Sequence, residues 1–100
     1  MRVERIQQVG LPGMTVQDIA IQDGILTIRI GTPQGEVVER YDLSSLGEEV
    51  RPGAEVAIEA TYGALISAWM EEGEPVLQVV EWVSMFPEPT TLEEQQPDGE

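Results

Sequence analysis

Apolar and polar residues alternate with a period of two along much of this chain, and that period predicts strands rather than helices. The clearest run is VQDIAIQDGILTIRIGTPQGEVVERYDL, from Val16 to Leu43. Asp23-Gly24 lies between two β-rich segments. A two-residue hairpin turn there needs positive φ at both positions, which this pair tolerates. The turn sets a register: Ile21 opposite Leu26 and Ile19 opposite Ile28 on one face, Ala20 opposite Thr27 and Asp18 opposite Arg29 on the other. A second turn at TPQG, residues 32–35, opposes Ile30 with Val37 and Thr27 with Arg40. One face of this three-strand meander then carries Ile19, Ile21, Leu26, Ile28, Ile30, Val37 and Tyr41. The other carries Asp18, Thr27, Arg29, Val38 and Arg40. Glu39 falls among the apolar positions, so a bulge or an edge position is expected there.

The flanking segments speak less clearly. Residues 2–9 predict a first strand with Val3 and Ile6 as its apolar members, followed by a turn at LPG, residues 11–13. SSLGEEVRPG reads as a loop. AEVAIEATY alternates Val56, Ile58, Ala60 and Tyr62 against Glu55, Ala57, Glu59 and Thr61, which predicts another strand. PVLQVVEWVSMF is a long apolar final strand. PGMTVQDIAI and PGAEVAIEA echo each other, but two copies of a turn-strand pair do not establish a repeat. From Pro87 onward proline, glutamine and acids take over and leave nothing to bury. The expected organisation is one β-rich domain over 1–86 and a disordered acidic tail over 87–100.

The segment 61–72 is ambiguous. As a helix, Thr61 caps it, Leu65, Ile66, Trp69 and Met70 form the buried stripe, and Gly73 ends it with Pro75 beyond. Glutamates in its last turn would oppose the helix dipole. As a strand, residues 54–70 run on with a bend at Gly63, and EEGE turns the chain into the final strand. The β signals elsewhere favour a mainly β domain, a small antiparallel barrel of OB- or SH3-like kind with at most one short helix near 61–72. The alternative is an α+β RNase H-like half domain.

Composition removes several chemistries. The sequence has no cysteine and no histidine, so disulfides, thiolate metal sites and serine- or cysteine-histidine catalysis are excluded. Only carboxylate chemistry, alone or with a magnesium-type ion, stays open, and no cofactor, metal site or enzymatic activity is expected. Nineteen acids stand against five arginines, with no lysine, for a net charge of −14. Fourteen of those acids and all five arginines lie within residues 1–86, a net −9. Such a surface repels phosphate backbones and anionic lipids and suits a basic protein partner. Proteome-wide acidity would produce the same composition without any partner. MRVERIQQVG lacks the apolar core of a signal peptide, and no apolar run approaches the ~20 residues of a membrane span. A soluble, cytoplasmic protein is the expectation.

Two local resemblances add to this reading. VRPGAEVAIEA, a tryptophan, an acid-glycine turn and PVLQVVEWVSMF together resemble the last two strands of an OB-fold, including those of single-stranded DNA-binding proteins, over about residues 50–86. That family also carries acidic flexible C-termini, while its nucleic-acid groove holds basic residues among aromatics. EATYG at 59–63 and the hairpin GILTIRIGTPQGEVVERY resemble segments of RuvC-like transposases with an RNase H-like core. The glutamate of EATYG matches one that helps hold that family's catalytic metal. The first catalytic aspartate of that family falls on Ala20, so this resemblance implies an inactive fragment.

The candidate binding residues are Arg29, Arg40, Trp69, Trp82 and Tyr62. Tryptophan and arginine are favoured at interface hot spots, and tryptophan is equally at home packed at a core edge. Glu71, Glu72 and Glu74 form an acidic surface at a turn and lack the ordered oxygen spacing of a calcium loop. Asp18 and Asp23 are assigned to pairing with Arg29 and to the turn rather than to acid-base work. The leading function is a non-enzymatic acidic interaction module for a basic protein, with nucleic-acid mimicry or inhibition its sharpest form. An OB-fold single-strand binder using Trp69, Trp82, Arg29 and Arg40 is the alternative. The oligomeric state stays open at this level.

Overall fold

The computed structural model describes residues 1–84. The expected meander is present. β2 (Thr15–Gln22), β3 (Ile25–Thr32) and β4 (Gly35–Asp42) run antiparallel. Asp23 and Gly24 have φ of 54° and 77°, the values a two-residue primed turn requires. Every expected pair forms, including Ile21 with Leu26, Asp18 with Arg29, Ile30 with Val37 and Thr27 with Arg40. Leu26, Ile28, Ile30 and Tyr41 are buried, and Ile19, Ile21 and Val37 pack against them. Arg29, Val38 and Arg40 are exposed on the opposite face.

Two four-stranded sheets are built around this core. One has the order β2-β3-β4-β6, where β6 is Ala57–Glu59. The other has the order β1-β8-β7-β5, from Arg2–Gly10, Glu74–Ser84, Leu65–Glu71 and Arg51–Pro52 respectively. The mainly β expectation holds, with the strands distributed between these two sheets. β1 lies parallel to β8 over its whole length, Arg2 beside Val76 through Gly10 beside Ser84. That is the exception to the antiparallel pattern. Leu65, Ala68, Leu77, Val79 and Val80 complete the core from the second sheet.

One open reading is decided and two expectations change. The ambiguous segment contains no helix: Leu65–Glu71 is β7, because β5 on one side and β8 on the other satisfy its backbone groups. Glu72 and Gly73, with φ of 52° and 79°, form a two-residue turn rather than a helix end. The single helix among the described residues, α1 (Gly53–Val56), falls where a strand was expected. Pro52 leads into it at φ −61°, and Val56 turns into the core, leaving three residues of the expected strand paired as β6. Finally, Glu39 occupies neither an edge nor a bulge in the β3–β4 ladder. Its strand lies between β3 and β6, it pairs regularly with Ile28, and the irregularity comes one residue later, between Arg40 and Tyr41 against β6. The expected tail, 87–100, lies outside the described residues.

Candidate interaction site

Glu39 is fully buried because the chain builds a site for it. The loop between β6 and β7 passes over β4, and Gly63, at φ 68°, lets three successive amides converge. Tyr62 N–H and Gly63 N–H donate to Oε2, the latter at 3.1 Å, and Ala64 N–H donates to Oε1 at 2.9 Å. The Tyr41 hydroxyl donates to Oε1 at 2.6 Å and accepts from Leu65 N–H at 3.3 Å. The carboxylate thus ties the meander sheet to the start of β7, which belongs to the other sheet. Burial, and then the hydrogen bond to Glu39, push the Tyr41 hydroxyl well above its usual pKa of 10.

That shift has a measurable sign. Unfolded Tyr41 loses its proton near pH 10 while the folded residue keeps it. The contribution to stability is complete below pH 10 and is lost as pH rises through the folded value. Denaturant midpoints measured from pH 8 to 12 should fall above pH 10. In Tyr41→Phe, less stable at neutral pH, that extra alkaline fall should disappear. Parallel pH profiles for the two proteins would exclude this role for the hydroxyl.

Above this hub lies an open concavity of about 470 Å³, lined by Tyr41, Pro52, Gly53, Ala57, Leu65 and Ile66 among others. A second, of about 270 Å³, shares Ala57 with it and is lined by Asp42, Ser45, Arg51, Glu55 and Ile58. One lining is apolar and the other charged. Val50, Ile58 and Tyr62, from the segments around these concavities, are exposed apolar side chains. Glu48, Glu49 and Glu55 from the same stretch of chain are also exposed. An apolar concavity beside acids has the composition of an interface core and its rim.

The candidate residues are not gathered into one site. Arg29 and Arg40 lie on the outer face of the meander, and each is held by a glutamate: Arg29 Nε to Glu36 at 2.6 Å, Arg40 Nε to Glu59 at 3.4 Å. The hydrogen bond to Glu36 stabilises charged Arg29, and Asp18, directly across, adds only a minor attraction. Trp69 and Trp82 belong to the other sheet. Trp69 is directly across from Val76, six residues along β8 from Trp82, or about 20 Å at strand rise. Trp82 packs against the core, and Tyr62 meets it edge to face with ring centroids 6.1 Å apart. Only Tyr62 and Trp82 are thus brought together. Glu71 pairs with Arg2 at 2.8 Å, and Glu74 pairs with the N-terminal ammonium at 2.6 Å, which lowers its pKa. Glu72 occupies the turn between them.

Sequence reasoning missed the concavities entirely. Glu39 did show itself, as an acid at an apolar position, but its partners did not. No protein-family model matches the chain, and comparison with curated proteins and with solved structures returns no match.

Proposed function

We propose that this protein is a non-enzymatic, acidic interaction module that binds a basic protein surface. The observation that carries the reading is the disposition of charge. Fourteen acids face five arginines within residues 1–86, and Arg2, Arg29 and Arg40 are already engaged by glutamates. Little positive charge is left to meet phosphate, whereas Asp42, Glu55 and the exposed Ile58 line the smaller concavity beside the apolar one. A cationic partner carrying an apolar anchor side chain is complementary to that arrangement. The split of Trp69, Trp82, Arg29 and Arg40 between two sheets gives less support to a continuous stacking groove for single strands. Mimicry of nucleic-acid charge, blocking a nucleic-acid-binding protein, is the sharpest form of the proposal.

The test is affinity capture at low and high salt, identification of the captured protein, and titration with that protein in purified form. A basic protein bound at low salt and released at high salt is expected. Glu55 lines the smaller concavity, and Glu48 and Glu49 lie on the exposed chain just before its Arg51. Glu48→Gln, Glu49→Gln and Glu55→Gln combined should weaken binding roughly tenfold, since three exposed charges at about 0.5 kcal/mol each sum to that factor. These exposed positions leave the core untouched. Unchanged affinity in the triple variant would exclude this surface. Tryptophan quenching by mixed-sequence single-stranded oligonucleotides at physiological salt would overturn the reading altogether.

A further inference from the structure

Among the described residues each sheet ends in two edge strands, and three of the four are blunted. β2 has an irregular register between Val16 and Asp18. β6 has three residues, and β5 has two, one of them Pro52. Bulges, short length and proline are the devices that stop an edge from recruiting another strand. β1 has none of these three, and of the edge devices carries only charged side chains, Arg2, Glu4 and Arg5. Its nine residues, RVERIQQVG, contain no proline or lysine and pair with β8 in unbroken register. Among the described residues β8 is its only strand partner. Arg5, Ile6, Gln7, Gln8 and Val9 are all exposed.

We propose that β1 pairs antiparallel with β1 of a second copy of this chain, about a two-fold axis at Ile6. Charge argues for a self-partner at this edge. A chain at −14 repels its copies over most of its surface. β1 instead holds Arg2 and Arg5 against a single Glu4, so two copies meet here without a surplus of acid. Register argues for the axis. A two-fold perpendicular to the sheet pairs residues on the same face. Centred on Ile6, it sets Val3 opposite Val9, Glu4 opposite Gln8, Arg5 opposite Gln7 and Arg2 opposite Gly10 of the second copy. Centring on Glu4 or Arg5 would place like charges directly opposite. Centring on Gln7 would set Ile6 against Gln8. The result is a continuous eight-stranded sheet, β5-β7-β8-β1-β1-β8-β7-β5, and it does not depend on a basic partner.

Light scattering across a concentration series should give a mass near twice the 11.0 kDa of one chain. Ile6→Arg puts two guanidinium groups at the axis and should return the mass to one chain. Ile6 is 36% exposed, so the monomer should keep its circular dichroism. Because the sequence contains no cysteine, Ile6→Cys offers a register-specific check that does not depend on that variant. Its copies face each other within the ~4.4–6.8 Å Cα spacing of a disulfide, and mild oxidation should link them. In Gln8→Cys the copies lie about 13 Å apart along the strand and should stay unlinked. A monomeric mass at every concentration would overturn the proposal. So would a dimer that survives Ile6→Arg, or one that links through position 8 in preference to position 6.

Discussion

Glutamine at position 39 is expected to cost about 2–4 kcal/mol of folding stability, in spite of near-identical shape. Glu39 is an acceptor only, and its two oxygens receive four donors: the Tyr41 hydroxyl and the amides of Tyr62, Gly63 and Ala64. Glutamine turns one acceptor into an NH₂ group. Placed at Oε1, that group points at the buried Tyr41 hydroxyl and Ala64 N–H; placed at Oε2, it points at the part-buried amides of Tyr62 and Gly63. Alanine should cost at least as much, since all four donors lose their partner. Urea unfolding measures the difference. Hydrogen exchange of the 62–64 amides locates it, and both variants should expose them. A glutamine variant as stable as the parent, with those amides still protected, would mean that the carboxylate does not hold the loop.

Alanine at Gly53 is the other large loss, expected at about 3 kcal/mol or more. The reason is space rather than backbone conformation. A Cβ at Gly53 would overlap the carbonyl oxygen of Leu65 and crowd its Cβ at 3.2 Å. Leu65 is 2% exposed and pairs with Val79, so β7 cannot retreat without pulling on the core. Ala54→Gly, at the exposed next position of α1, provides the contrast and should cost no more than about 1 kcal/mol. The comparison is made by denaturant midpoints at constant slope. Equal midpoints for Gly53→Ala and the parent would show that α1 and β7 do not approach so closely. Gly53 also lines the larger concavity, so a destabilised but folded Gly53→Ala should bind the proposed partner more weakly.

The meander was legible residue by residue because everything that specifies it is local. Asp23-Gly24 fixes the first register, Pro33-Gln34 at the next turn fixes the second, and alternation assigns each side chain a face. Residues 53–72 were not legible in that way. Gly53–Val56 alternates like a strand yet forms α1, and Leu65–Glu71 carries a credible helical stripe yet forms β7. Local propensity was nearly balanced there, and pairing decided it. β8 folds back on Leu65–Glu71 across the Glu72-Gly73 turn, and Arg51–Pro52, thirteen or more residues earlier, pairs with its other side.

From the sequence alone followed the mainly β class, the hairpin registers, the exposed placement of Arg29 and Arg40, and the acidity. These depend on a period of two, on turn chemistry and on counting charges. Tertiary structure alone decided that β1 lies parallel to β8, its one strand partner among the described residues, and that Trp69 and Trp82 stand apart. It also decided what Glu39 is for. A sequence shows an acid at an apolar position. Which N–H groups reach it depends on a loop 23–25 residues further on, and only the packed sheets bring that loop over β4.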